Sequence, residues 1–188
     1  MLSIMMVLFL LFLYKEYKLP SVKSCYQAEV VYLKPLYGGE FSDNELKKYS
    51  NILVVHSVKQ FRYAADNKIL PIWIDKTCFE KIDLQWVELK LRQYYPVVVV
   101  GYGNADYPFR NIPIGRKGPG GPLIDAQKYK DYLNKIKKEN GISVCKKKLD
   151  ENIANWGAFT YGFKGEPLIE ETLMISRKLL YNQFIVSQ

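Results

Sequence analysis

Val97-Val98-Val99-Val100-Gly101-Tyr102-Gly103-Asn104 is the stretch on which the fold reading turns. Four consecutive β-branched residues suit an extended chain covered on both faces, which is where an interior strand of a helix-flanked sheet sits. Glycine-bearing polar residues follow at once, as expected where a chain leaves the carboxyl end of a strand. Upstream, residues 83–95 place Leu84, Val87, Leu91 and Tyr94 on one helical face, with Asp83 as cap and Pro96 as stop. Before them, residues 69–74 form an apolar run of strand length, and Pro71 in it points to a strand start or a sheet edge. Residues 58–66 have helical period, and Ile52–Val55 is a further apolar run.

Earlier still, Val30–Leu33 reads as a first strand, closed by Pro35 and by a turn at Gly38 and Gly39. Ser42 and Glu45 have the spacing of a capping box and predict a short helix through Tyr49. Downstream, Asp125 caps an expected helix over 125–139, residues 142–145 and 158–163 fit strands, and Pro167 opens a last helix. Glu166, Glu170 and Glu171 lie near its positive end, with Arg177 and Lys178 further along. Strand alternating with helix implies parallel pairing through right-handed crossovers. The expectation is therefore α/β: an open, mostly parallel sheet of about five strands flanked by helices, with Val97–Val100 central, preceded by an N-terminal apolar helix.

Composition bounds the alternatives. With 188 residues, 48% of them apolar, the chain can bury a core unaided, which excludes intrinsic disorder and a collagen-like repeat. Cys25, Cys78 and Cys145 form no ligand set with the single His56, so no metal is expected. Three unpaired thiols suit a reducing compartment, with one bridge plus one free thiol as the alternative. No cofactor is expected either. The glycines match no phosphate-binding loop of the GxxxxGK[ST] type, and Asp106 stands where a GxGxxG fingerprint needs its third glycine.

Residues 1–14 carry no charge and are apolar on every helical face. The run is short for a bilayer span of about 20 residues and suits a membrane anchor or signal-like segment, against the alternative of a buried first helix or strand. Residues 15–25 then form a linker, and 26–188 a single α/β domain. Lys15, Lys18 and Lys23 follow the apolar run, so the positive-inside rule favours the cytoplasmic face for what comes after. A second concentration of charge lies in 128–148, where eight lysines against two acidic residues supply +6 of the chain's net +8. It reads either as a contact for anionic lipid or as a solvated helix face. Nucleic acid is not expected, because arginines do not interleave and no nucleic-acid motif is present.

In an open parallel sheet, ligands bind beyond the carboxyl ends of the strands. There the sequence offers His56 after Ile52–Val55, Asp75 and then Cys78 after 69–74, and Gly101, Gly103, Asn104, Asp106 and Arg110 after Val97–Val100. If these three strands are adjacent, His56, Asp75 and Asn104 share one crevice. The loop over 101–122 is long for a compact domain, and its Arg116 and Lys117 among glycines fit an anion. The leading expectation is a membrane-associated domain of unassigned role that binds a small or anionic ligand through Gly101, Gly103, Asn104, Arg110, Arg116 and Lys117. The alternative is a hydrolase or transferase with His56 as general base, Asp75 or Asp106 orienting it, and Cys78 or a water as nucleophile.

Overall fold

The computed structural model describes residue 6 and residues 18–103, 106–109, 131, 141–148, 155–162 and 168–181. Apart from Met6, the apolar run at 1–14 lies outside these residues, as do most of the 101–122 loop, nearly all of the 125–139 helix, and Glu166 and Pro167. Among the described residues the elements are, in chain order, α1 (Val22–Gln27), β1 (Val30–Leu33), α2 (Asp43–Leu46), β2 (Ile52–Val55), α3 (Val58–Asn67), β3 (Ile72–Asp75) and α4 (Lys76–Phe79). They continue with α5 (Leu84–Arg92), β4 (Val97–Val100), α6 (Asp106–Phe109), β5 (Gly141–Lys148), β6 (Asn155–Gly162) and α7 (Ile169–Tyr181).

Local chemistry sets many of the boundaries. Ser42 and Glu45 form the capping box of α2, each side chain satisfying the other's backbone amide. Ser57, Asp75 and Asp83 cap α3, α4 and α5 in the same sense, each accepting from an amide two or three residues on. Pro71 stands just before β3. Its missing N–H costs no ladder bond, while its carbonyl accepts from the Val31 amide at 3.3 Å.

The strands form one sheet in the order β2-β1-β3-β4-β5-β6. The first four are mutually parallel; β5 runs antiparallel to β4, and β6 antiparallel to β5. The α/β class and the mostly parallel sheet therefore hold, with two corrections. The sheet has six strands rather than about five, and its last two are antiparallel. Only residues 149–154 join β5 to β6, too few for the crossover of a dozen or more residues that a parallel pair needs. Second, the three apolar runs are not all neighbours, because β1 stands between β2 and β3. All four β1 side chains are buried, whereas Leu53 and Val54 of β2 are only half-buried. The strand that can be covered on both faces takes the interior place, and β2 takes the edge.

Side chains alternate across the sheet with period two. Val31, Leu33, Ile72, Ile74, Val97 and Val99 face one core with Phe61, Ala64, Val87 and Leu91 of α3 and α5. Val30, Tyr32, Trp73, Val98 and Val100 face the other, with Leu46 of α2 and Leu173 and Ile175 of α7. Topology explains this division. The step from β1 to β2 moves one way along the sheet, while the steps from β2 to β3 and from β3 to β4 move the other way. A single hand of crossover then forces α2 onto the opposite face from α3 and α5. Connections leaving β1 and β3 diverge to opposite faces, so a crevice opens at the carboxyl ends of these two neighbours.

Candidate functional site at the strand tips

Lys34 follows β1 and is 2% exposed. Its amide continues the ladder to the Val55 carbonyl at 3.0 Å, and its ammonium donates to the Gly38 carbonyl and pairs with Asp43 at 2.9 Å. That hydrogen bond is the main reason the Asp43 carboxyl lies below its ordinary range. The buried cation thus folds the β1–α2 connection back over the strand tips, through the positive-φ turn at Gly38 and Gly39.

Asp75, the last residue of β3, is fully buried and accepts four hydrogen bonds. Tyr32 Oη and the Glu40 amide donate to Oδ2 at 2.9 and 2.7 Å. The Thr77 amide and hydroxyl donate to Oδ1 at 3.0 and 2.7 Å. A carboxylate offers about four lone-pair sites, so this one is fully occupied and acts as a fixed joint between β1, β3 and the loop above them. The fit leaves no space for a side chain at position 39: a Cβ on Gly39, whose φ is +99°, would lie 2.9 Å from Asp75 Oδ2. Burial, and secondly the Asp75 charge, push the Tyr32 hydroxyl well above its usual range, so it remains a donor.

At the mouth, Lys76 pairs with Glu40 at 2.7 Å, the two side chains being 32% and 17% exposed. The pair lies across the backbone of Gly101. A Cβ there would come within 2.7 Å of the Cδ atoms of both Glu40 and Lys76, and the φ of +98° independently favours glycine. Below it, the Gly101 amide donates to the Gly141 carbonyl at 2.8 Å, and Ser143 Oγ donates to the Tyr102 carbonyl at 2.7 Å. The antiparallel strand β5 therefore holds the start of the long loop in place.

The sequence-derived residues divide as follows. Asp75 and Gly101 come together, since Asp75 pairs in register with Val100. Gly103 is buried just beyond Gly101. His56 follows the edge strand β2, on the far side of β1. Its Nδ1 bonds the Lys34 carbonyl at 3.2 Å and its amide donates to Gln60 Oε1, while the Asp75 oxygens serve Tyr32, Glu40 and Thr77 instead. A carbonyl only accepts, so Nδ1 is the donor in that bond. Cys78 is 5% exposed within the α3/α5 core, where burial and, less strongly, the Asp75 charge push its thiol up. Asp106 begins α6, and its side chain lies outside the described residues, as do Asn104, Arg110, Arg116 and Lys117.

Sequence reasoning placed Gly38 and Gly39 in a turn but gave no part in the site to Lys34, Gly39, Glu40 or Tyr32. The signal was present as a polar residue directly after a buried strand, followed by a Gly-Gly turn, the same pattern that drew attention to the tips of β3 and β4. Among the described residues no three His, Cys, Asp or Glu side chains group as metal ligands, and no helix is long and apolar enough to cross a membrane. The chain matches no protein-family model, no curated protein and no solved structure.

Proposed function

We propose that this is an α/β domain that binds a small anionic ligand at the carboxyl ends of β1, β3 and β4, and that residues 1–14 hold it at a membrane. The observation that carries the ligand reading is the half-exposed Lys76–Glu40 pair spanning Gly101 at the point where the connections from β1 and β3 diverge. Lys34 and Asp75 are engaged inward and form the walls. Lys76 is the cation that an incoming anion can take over from Glu40, with charge-assisted hydrogen bonds replacing the existing pair. On this reading Gly101, Gly103 and Asn104 meet the ligand as the chain leaves β4, and Arg110, Arg116 and Lys117 supply further positive charge to it.

Titration with inorganic phosphate and pyrophosphate, followed by amide resonances, tests this reading. Saturable shifts at Gly39, Glu40 and Gly101 are expected, with affinity lowered about tenfold by Lys76→Met. Shifts that are absent, or that ignore both Lys76→Met and Arg116→Ala, would refute it.

One observation favours the hydrolase or transferase reading: His56 lines a groove together with Lys18, Ser21, Ser24 and Gln60. Asp75 is committed to Tyr32, Glu40 and Thr77 and Cys78 is buried, so neither of these two candidates serves His56, and binding is the better supported role. Turnover of a p-nitrophenyl ester that disappears in His56→Gln would reverse that preference.

A further inference from the structure

Apolar side chains left in water are scattered singly over most of this domain, as with Ile69, Leu89 and Met174. Residues 18–27 are different. Leu19, Val22 and Tyr26 are 37%, 50% and 61% exposed within one short stretch, and Val22 and Tyr26 stand one turn apart on α1. Cys25 is packed into the core at 1% exposure, which fixes the roll of the helix and leaves the other two side chains outward. Lys18 and Lys23 are exposed beside them. The strip continues into an open groove lined by Leu19, Pro20, Leu53 and Val54, along the edge strand β2.

We infer that this surface, the outward side of α1 with Leu19, Val22 and Tyr26, is the face the domain lays on an anionic lipid leaflet. The inference rests on the reading of residues 1–14 as a membrane segment. Chain geometry ties the two together. Tyr14 and Lys18 are four residues apart, so their Cα atoms are separated by at most about 14 Å. The chain reaches Lys18 at the rim of the groove, where the Lys18 carbonyl accepts from Gln60 Nε2 at 2.8 Å. A bilayer holding residues 1–14 therefore lies within that reach of Lys18, at the groove from which the chain enters α1. The composition of the strip suits that place. Leucine and valine enter the acyl boundary, tyrosine sits at headgroup level, and the exposed Lys18 and Lys23 meet anionic headgroups.

The test uses the full chain on vesicles of phosphatidylcholine and phosphatidylserine. A fluorophore is placed at Val22→Cys or, as a control, at Leu89→Cys; the native cysteines are buried, and unmodified chain corrects for their labelling. Nitroxide-labelled lipid should quench the label at position 22 at least about twofold more strongly than the label at 89. Adding Lys18→Glu and Lys23→Glu should weaken that quenching while flotation with the vesicles persists. If the chain floats but both labels are equally unquenched, the face is wrong and the anchor stands. If the chain does not float at all, the anchor reading and this inference fall together. Shielding of position 22 without vesicles, accompanied by a dimeric mass, would assign the strip to a second copy of the chain and overturn the lipid contact.

Discussion

Replacing Asp75 with asparagine keeps the shape of the buried side chain and exchanges one acceptor oxygen for an NH2 group. The carboxylate takes one backbone amide and one hydroxyl on each oxygen: Glu40 N–H with Tyr32 O–H, and Thr77 N–H with Thr77 O–H. Whichever way the new amide turns, its NH2 meets one such pair. A hydroxyl can rotate and accept, but the backbone N–H cannot, so one buried amide must lose its acceptor. An unmet buried donor costs about 1–3 kcal/mol, and the surviving bonds lose their charge assistance. A neutral amide is cheaper to bury than a carboxylate, which offsets part of the loss, so the net expectation is a destabilisation of about 2–4 kcal/mol. Against a typical total of about 5–15 kcal/mol that is a large fraction. Urea unfolding followed by tryptophan fluorescence suits the measurement, because Trp73 is buried and its ring lies 5.9 Å from that of Tyr32. Tyr32→Phe alone should cost about 1–2 kcal/mol, and clearly less in the Asp75→Asn background, with a coupling of about 1 kcal/mol. Additive costs, or an Asp75→Asn chain within about 0.5 kcal/mol of the parent, would refute the account of Asp75 as the joint of the strand tips.

Alkaline pH provides a second check. Folding holds the Tyr32 hydroxyl neutral by burial and by the Asp75 charge, whereas the unfolded chain ionises it near about pH 10, so stability present below that pH should fall as pH rises further, by about 1.4 kcal/mol per pH unit. Urea midpoints measured from pH 8 upward should show a steeper limb in the parent than in Tyr32→Phe, where the Tyr49 hydroxyl, raised by partial burial and by Glu170, still contributes. Burial also raises the Cys25 and Cys78 thiols, so an earlier loss should begin near the ordinary thiol range in both proteins. Cys25, Cys78 and Cys145 are all buried, so an aromatic disulfide reagent should titrate them only after unfolding; rapid reaction of Cys78 in the folded protein would revive its candidacy as a nucleophile. Gly101→Ala should cost about 1–3 kcal/mol through its positive φ and displace the Lys76–Glu40 pair, which weakened phosphate binding and shifted Glu40 resonances would register. Val31→Ala, in a fully buried interior strand, should cost about 2 kcal/mol or more, and Val54→Ala, on the half-buried edge, less than about 1 kcal/mol.

Much of the fold is legible because it rests on local physics. Val30–Leu33, Ile52–Val55 and Val97–Val100 read as strands from side-chain branching and run length, and the described strands have those bounds. The Ser42–Glu45 box and the Asp83 cap read directly as helix starts. Boundaries drift where two local signals compete. The 69–74 run becomes a strand only from Ile72, because Pro71 cannot donate, and it ends on Asp75, a polar residue that periodicity assigns to the following loop.

Strand order is a different kind of quantity. Nothing in the alternation of strand and helix says whether the chain, having made β1 and β2, places β3 beside the second or back beside the first. Both arrangements satisfy the same crossovers, and the choice depends on which strand can be covered on both faces by helices that come later. Val30–Leu33 and Ile52–Val55 are nearly indistinguishable as text, four apolar residues each, yet all four side chains of the first are buried and Leu53 and Val54 of the second are only half-buried, with α7, more than a hundred residues downstream, supplying Ile169, Leu173 and Ile175 to the face that Val30 and Tyr32 present. The same choice decides the site. With β3 beside β2, the tip of β3 would meet His56; with β3 beside β1, Asp75 meets Tyr32 and the Gly38–Glu40 turn, and His56 turns its Nδ1 to the Lys34 carbonyl on the other flank. A reading that finds the strands and misses one neighbour relation therefore names a polar residue at each tip and still assembles a different crevice, because a crevice is a property of adjacency, and adjacency here is settled by burial at long range.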